Sequence, residues 1–169
     1  FSLAALSHAA ANSDEAFLVK PYLQLGDAPR LLKDEQMVVS WHSVDEEIRW
    51  SVEFREGRRG EWVATTAPQS DRVAVTGIAP HRVYRATLTG LTPGGEFEYR
   101  VRRNEQVVFT SAGRARKNRS QPVRCVVMGD CGTGSPQQKK VAFQVARTDP
   151  DFVLIPGDIV YANGRISEY

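Results

Sequence analysis

Apolar and polar side chains alternate with a period of two through much of residues 18–110. The cleanest run carries an apolar side chain at every second position, at Ile48, Trp50, Val52 and Phe54. Similar runs occupy residues 37–42, 84–88 and 97–102. Because successive side chains of a strand point to opposite faces of a sheet, this pattern predicts β-strands with one buried face.

Turn-forming residues separate these runs. Glycine, proline, asparagine and aspartate fall between them, at residues 56–60, 68–71, 93–95 and 103–105. Several short strands at near-regular spacing, joined by such turns, predict an antiparallel β-sandwich over residues 18–110. We expect Trp41, Trp50 and Tyr99 to lie inside it.

The character of the chain changes after residue 110. Residues 111–121 are polar and basic, with cations at Arg114, Arg116, Lys117 and Arg119. This composition predicts an interdomain linker with solvated charges. A patch that attracts phosphate is the alternative that the residues leave open.

A strand–helix–strand pattern follows the basic segment. The apolar run 123–128 predicts a strand covered on both faces, with Cys125 as a small buried residue. Ser135 can cap a helix whose first turn contains Pro136, and Pro150 ends that helix. We expect its packing face to consist of Val141, Phe143, Val145 and Ala146. Residues 152–155 then predict a second strand, parallel to the first and reached by a right-handed crossover.

Two aspartates stand where these strands run out into loops. Asp130 and Asp158 each follow a glycine just past an apolar strand, and Tyr161 comes three residues after the second aspartate. The carboxyl ends of neighbouring parallel strands border the ligand crevice of an open α/β sheet. Two carboxylates side by side repel each other unless a cation lies between them, so the pattern favours a metal site. Aspartates that merely cap turns are the alternative.

The segments 129–132 (GDCG) and 157–161 (GDIVY) resemble the first two blocks of the calcineurin-like metallophosphoesterases. The tyrosine of the second block narrows the resemblance to the purple acid phosphatase branch. Residues 88–101 resemble the E–F corner of a fibronectin type III domain. Residues 21–24 (PYLQ) resemble the first strand of the domain that precedes many purple acid phosphatase cores.

The resemblance implies a phosphoric ester hydrolase in which a hydroxide bridging two metals attacks the ester. It implies that Asp158 bridges the metals and that Asp130 and Tyr161 bind the first, a ferric iron held by Tyr161 as a phenolate. The second metal is then iron, zinc or manganese. The family's later asparagine and histidine blocks do not occur in this sequence, so we expect this chain alone to be inactive.

The expected fold is mixed: an all-β sandwich followed by the start of an α/β domain. The expected division is a leader (1–17), a fibronectin type III-like domain (18–111), a linker (112–121) and the beginning of a calcineurin-like phosphoesterase domain (122–169). Residues 1–11 resemble the tail of a secretory signal peptide, which predicts a secreted protein, extracellular or periplasmic. A disordered or weakly helical N-terminus is the alternative.

Composition also bears on partners, membrane spans and disulfides. A net charge of +2 gives no argument for nucleic acid or an anionic membrane as partner, so a phosphate ester is the expected ligand. No stretch approaches the roughly 20 apolar residues of a membrane span. Cys125 and Cys131 are the only cysteines, and their spacing along the chain does not suit a disulfide. Two other functions remain open: a binding or adhesion module with a non-catalytic appendage, and a phosphodiesterase or nucleotidase of the same superfamily.

Overall fold

A computed structural model describes residues 16–26, 35–57, 59–132 and 134–161. Two four-stranded antiparallel sheets come first, with strand orders β1-β2-β6-β5 and β4-β3-β7-β8. This order matches the two sheets of immunoglobulin-type sandwiches, with β4 added beside β3. The strands are β1 (Val19–Leu25), β2 (Glu35–Val44), β3 (Trp50–Glu56), β4 (Val63–Ala64), β5 (Gln69–Val73), β6 (His81–Leu91), β7 (Glu96–Arg103) and β8 (Gln106–Arg114).

Aromatic side chains from both sheets fill the space between them. The Trp41 ring stacks on Tyr84 with centroids 5.3 Å apart, and Trp50 meets Trp41 edge-on at 5.6 Å. Trp41, Trp50 and Tyr99 are all buried, which confirms the prediction that they lie inside. Phe17, which the expected division places in the leader, is also buried and stacks on Trp50. The sandwich core therefore begins before residue 18. The signal-peptide prediction for residues 1–11 lies outside the described residues.

Two of the predicted turns have different outcomes. The β7–β8 hairpin turns through Asn104 and Glu105, both with positive φ (47° and 69°), as a two-residue type I′ turn requires. The turn predicted at 68–71 is wrong, because Gln69–Val73 forms the edge strand β5, antiparallel to β6. Its side chains are mostly exposed, so the strand carries no apolar alternation that the sequence could reveal.

The predicted linker begins later than expected and is bonded to the sandwich. Strand β8 continues through Arg114, and Ala115 is buried in the core. The Ala115 N–H donates to Gly95 O at 2.8 Å, and Gln121 Nε2 donates to Pro93 O at 3.2 Å. The basic segment thus lies against the β6–β7 turn. The prediction of solvated charges is also wrong for Arg114 and Lys117, which pair with Asp149 or Asp151.

A strand–helix–strand unit follows, as predicted. Strand β9 (Cys125–Val127) pairs in parallel with β10 (Phe152–Leu154), and helix α1 (Pro136–Arg147) connects them. The Ser135 side chain accepts a hydrogen bond from the Gln138 N–H, and Thr148 caps the other end of the helix. The N-cap is the predicted Ser135, and the helix ends before Pro150 as predicted.

The predicted cover over this unit is wrong within the described residues. Cys125 is exposed rather than buried, and α1 contains no buried residue. The expected packing face is open, since Val141 is 50% exposed and Phe143 is 61% exposed. A short strand pair and one helix are too small to bury both faces of a parallel sheet.

Replacing a core leucine should cost far more than replacing a surface valine. Leu88 on β6 is fully buried, so Leu88→Ala should lower the free energy of unfolding by about 2–5 kcal/mol. Val63→Ala on the exposed strand β4 is the matched control and should change it by under about 0.5 kcal/mol. Urea denaturation followed by circular dichroism measures both. Equal losses in the two variants would contradict the core described above.

Acid should weaken the sandwich through His42. Its ring stacks on His81 at 5.3 Å, and burial, helped by His81 and Arg85, lowers the pKa of His42. The unfolded chain therefore binds a proton more readily than the fold, so this contribution to stability is lost as the pH falls below about 6.5. The His42→Gln variant should lose less stability between pH 7.5 and pH 5.5 than the parent, measured by urea denaturation. Parallel pH profiles for the two proteins would refute this assignment.

Candidate metal centre

Asp130 and Asp158 lie on two loops that leave the same end of the β9–β10 pair. The parallel pairing continues past the strands, because the Met128 N–H donates to Leu154 O at 3.1 Å. The Cys131 N–H then donates to Asp158 O at 3.1 Å and joins the loops directly. Both aspartates have left-handed backbones, with φ of 53° and 57°. Aspartate is one of the few residues besides glycine that tolerates this region, so each side chain stands on a sharply turned backbone.

The two loops approach each other backbone to backbone at Gly132. A Cβ at this position would lie 2.4 Å from Ile159 O and 2.6 Å from Val160 N, so only glycine fits. A Cβ on Gly157 would meet nothing within 4 Å. In the structure the aspartates take the left-handed conformation, and Gly132 permits the close approach.

Tyr161 brings a third oxygen to the same place. Its hydroxyl donates a hydrogen bond to Asp130 Oδ1. That hydrogen bond, followed by burial and the negative charges of Asp130 and Asp158, raises the pKa of Tyr161 well above its usual value. The structure thus brings the side chains of the three predicted ligands together, with a phenolic proton between the tyrosine and the first carboxylate.

This donor set suits a hard cation. Two carboxylates and a phenol offer only oxygen atoms, which small, highly charged ions prefer. A cation among them lowers the pKa of a phenol by the same electrostatics through which the carboxylates raise it. Among the described residues, no group of three or more histidine, cysteine, aspartate or glutamate side chains is placed to hold a metal.

An open cavity of about 320 Å³ lies between the Asp130 loop and the start of α1. Gln138, which the sequence analysis passed over, lines it and also accepts a hydrogen bond from the Gly134 N–H. The spacing of Ser135 and Gln138 is that of a capping box, and this signal could have identified the residue. The first turn of the helix thus faces the cavity with its cap fully formed.

Closing the space at Gly132 should separate the two loops. In Gly132→Ala the new Cβ must displace the Ile159 carbonyl, so the bond from the Cys131 N–H to Asp158 O should be lost. Native-state hydrogen exchange of the Cys131 amide should become about tenfold faster or more. Gly157→Ala is the matched control and should leave it unchanged. An unaltered rate in Gly132→Ala would show that the loops do not pack as described.

Comparisons with known proteins address the first part of the chain. Among the described residues, no helix is long and apolar enough to cross a membrane. Two proteins of Mycobacterium tuberculosis are similar to the chain: uncharacterized protein MT2654 of strain CDC 1551 / Oshkosh, and uncharacterized protein Rv2577 of strain ATCC 25618 / H37Rv. Each is 29% identical over 147 residues, which cover 76% of this chain but only 27% of the relative's length. Residues 21–117 match the family model of the purple acid phosphatase N-terminal domain, and the chain belongs to that family.

Proposed function

We propose that this chain is the N-terminal part of a hydrolase of the purple acid phosphatase type, which cleaves phosphoric esters at a centre of two metal ions. The observation that carries the proposal is the contact between the Tyr161 hydroxyl and Asp130, with Asp158 beside them. The family match over residues 21–117, upstream of this cluster, supports it.

The proposal includes a division of the chain and a location. The fibronectin type III-like domain extends from Ala16 to Ala115, and residues from 122 onward begin a calcineurin-like phosphoesterase domain. The first residues are the remnant of a signal peptide, and the protein is secreted. The short exposed strand pair after residue 122 supports the division, because a parallel sheet requires cover on both faces from further elements.

Each of the three oxygen ligands has a proposed role. By the resemblance to the purple acid phosphatases, Asp158 would hold both ions, which the two oxygens of a carboxylate allow. Asp130 and Tyr161 bind the first ion, ferric iron, and the second ion is iron, zinc or manganese. When bound, two such ions supply a nucleophile at neutral or acidic pH and compensate the charge of the phosphoryl group.

The chain's own groups control how the first ion is taken up. Tyr161 Oη holds a proton against Asp130 Oδ1, and that proton must leave before the oxygen can act as a phenolate ligand. Uptake at this site therefore releases a proton and becomes more favourable as the pH rises. On the opposite wall of the cavity, the first turn of α1 presents its positive dipole end, which favours a phosphate group.

The full-length protein should show the signature of a tyrosine bound to iron. Tyr161→Phe should abolish the visible phenolate-to-iron absorption band, because it removes the donating oxygen. Asp158→Asn should reduce phosphatase activity at least about a hundredfold, because an amide bridges two cations poorly. Absorption spectra and hydrolysis of a phosphate monoester measure these effects.

A matched control separates the site from the rest of the protein. Tyr22→Phe makes the same chemical change on the exposed strand β1 and should leave both band and activity intact. An unchanged band in Tyr161→Phe would exclude the iron–phenolate assignment. A full-length protein without bound metals or hydrolase activity would favour the binding or adhesion module instead.

A further inference from the structure

A cluster of charged groups ties the tail of the sandwich to the starts of β9 and β10. We call it the clasp, and it consists of Lys117, Arg124 and Asp151. Lys117 Nζ donates to Asp151 Oδ2 and to Pro122 O, at 2.9 Å in each case. The Arg124 N–H donates to the same Oδ2 at 2.8 Å. One carboxylate oxygen thus receives both a side chain of the basic segment and the main chain just before β9.

Further hydrogen bonds complete the clasp. The Asp151 N–H donates to Arg124 O at 2.8 Å, and Arg124 Nη1 donates to Thr148 O at 2.7 Å. The Asp151 side chain is only 12% exposed. The Arg124 N–H and the Lys117 ammonium hold the pKa of its carboxyl below the usual range, so the carboxylate is charged. The starts of both strands therefore meet at one partly buried anion, and the Arg124 side chain links them to the end of α1.

The strands themselves contribute little to fixing their register. Each has three residues, and all of their side chains except that of Val126 are exposed. Register is strongly specified where one face is buried and weakly specified where neither is. A slip by one residue would move Asp158 by about 3.3 Å relative to Asp130. Ligands of a functional site tolerate displacements of only about 0.5 Å.

We propose that Asp151 is a positioning residue, which sets the register of β10 against β9 through its hydrogen bonds to Lys117 and Arg124. Through this register the sandwich controls the separation of Asp130 and Asp158. The consequence for metal binding rests on the proposed function, whereas the register itself does not. The basic segment is then the part of the sandwich that holds the two carboxylate loops in place.

Asp149 provides a matched comparison. It is a second carboxylate of the same turn, with its side chain 74% exposed. It lies 3.6 Å from Arg114 Nη1, which also lies 3.5 Å from Asp151 Oδ1. The described contacts of its side chain are limited to that arginine, so it does not touch the main chain before β9. Replacing Asp149 with Asn removes a charge from the same turn without opening the clasp. Asparagine also tolerates the left-handed backbone of this position (φ 45°).

Disulfide trapping in the 169-residue chain reads the register directly. Cys125 and Phe152 are register partners, and both are exposed. Partners on adjacent strands lie about 4.8 Å apart, within the range that a disulfide spans. With Cys131 replaced by Ser, Phe152→Cys should form a disulfide with Cys125. Val153→Cys, in a separate protein, reports a slip by one residue.

The clasp variants should change the trapping yield in a specific order. The measured quantity is the yield of the disulfide between Cys125 and residue 152, in Phe152→Cys, divided by the yield with residue 153, in Val153→Cys. Adding Asp151→Asn to both proteins should lower this ratio about tenfold. Asp149→Asn should leave the ratio unchanged. Lys117→Met should act like Asp151→Asn, while Lys117→Arg, which keeps a cation there, should retain most of the parent ratio. Tryptophan fluorescence of Trp41 and Trp50 verifies that the sandwich is folded. If the Asp151 variant does not fold, Lys117→Met is used in its place.

Equal ratios in the parent, Asp151→Asn and Lys117→Met would overturn the positioning role, whatever the protein does with metals. In the full-length protein, Asp151→Asn should also reduce bound iron and the intensity of the visible band, while Asp149→Asn should not. A slipped register with undiminished iron would overturn the link from register to metal binding. A parent protein that binds no iron would instead refute the proposed function and leave the trapping result standing.

Discussion

The arrangement of Asp130 and Asp158 depends on main-chain contacts between two loops, because the buried residues in the described part of the chain all precede residue 116. The Cys131 N–H bound to Asp158 O and the close approach at Gly132 hold these loops together. These loops follow the exposed strands β9 and β10. At the other end of the strands lies Asp151, with its hydrogen bonds to Lys117 and Arg124. The candidate metal centre is therefore linked to the aromatic core of the sandwich through the partly buried ion pair of Lys117 and Asp151.

This dependence gives the sandwich a proposed task beyond its own stability. Its core packs around Trp41 and Trp50, and the described residues after Ala115 contribute no buried side chain to it. The segment after β8 then lies along the β6–β7 turn and presents Lys117 to Asp151. A domain with a firm core thus supports a strand–helix–strand unit whose apolar faces remain open in the described residues.

Much of the fold could be predicted from the sequence because its determinants are local. Alternation marked β3, and Ser135, Pro136 and Pro150 marked the ends of α1. Edge strand β5 was not predicted, because its exposed side chains do not alternate. The end of β8 was not predicted either, because its pairing with β7 is made by the main chain. The burial expected for α1 failed because cover is a non-local property. At the candidate site, the resemblance to the purple acid phosphatases implied that Tyr161 and Asp130 lie close together. The left-handed aspartates and the fit at Gly132 arise only in three dimensions.

The central claim is that Asp130, Asp158 and Tyr161 together bind iron. Anomalous diffraction at the iron absorption edge, from crystals of the iron-loaded full-length protein, tests it most directly. The account predicts an anomalous peak within coordination distance of the Tyr161 hydroxyl oxygen and of both carboxylates. A peak bound by other residues, or none beside these three side chains in an iron-loaded crystal, would contradict it.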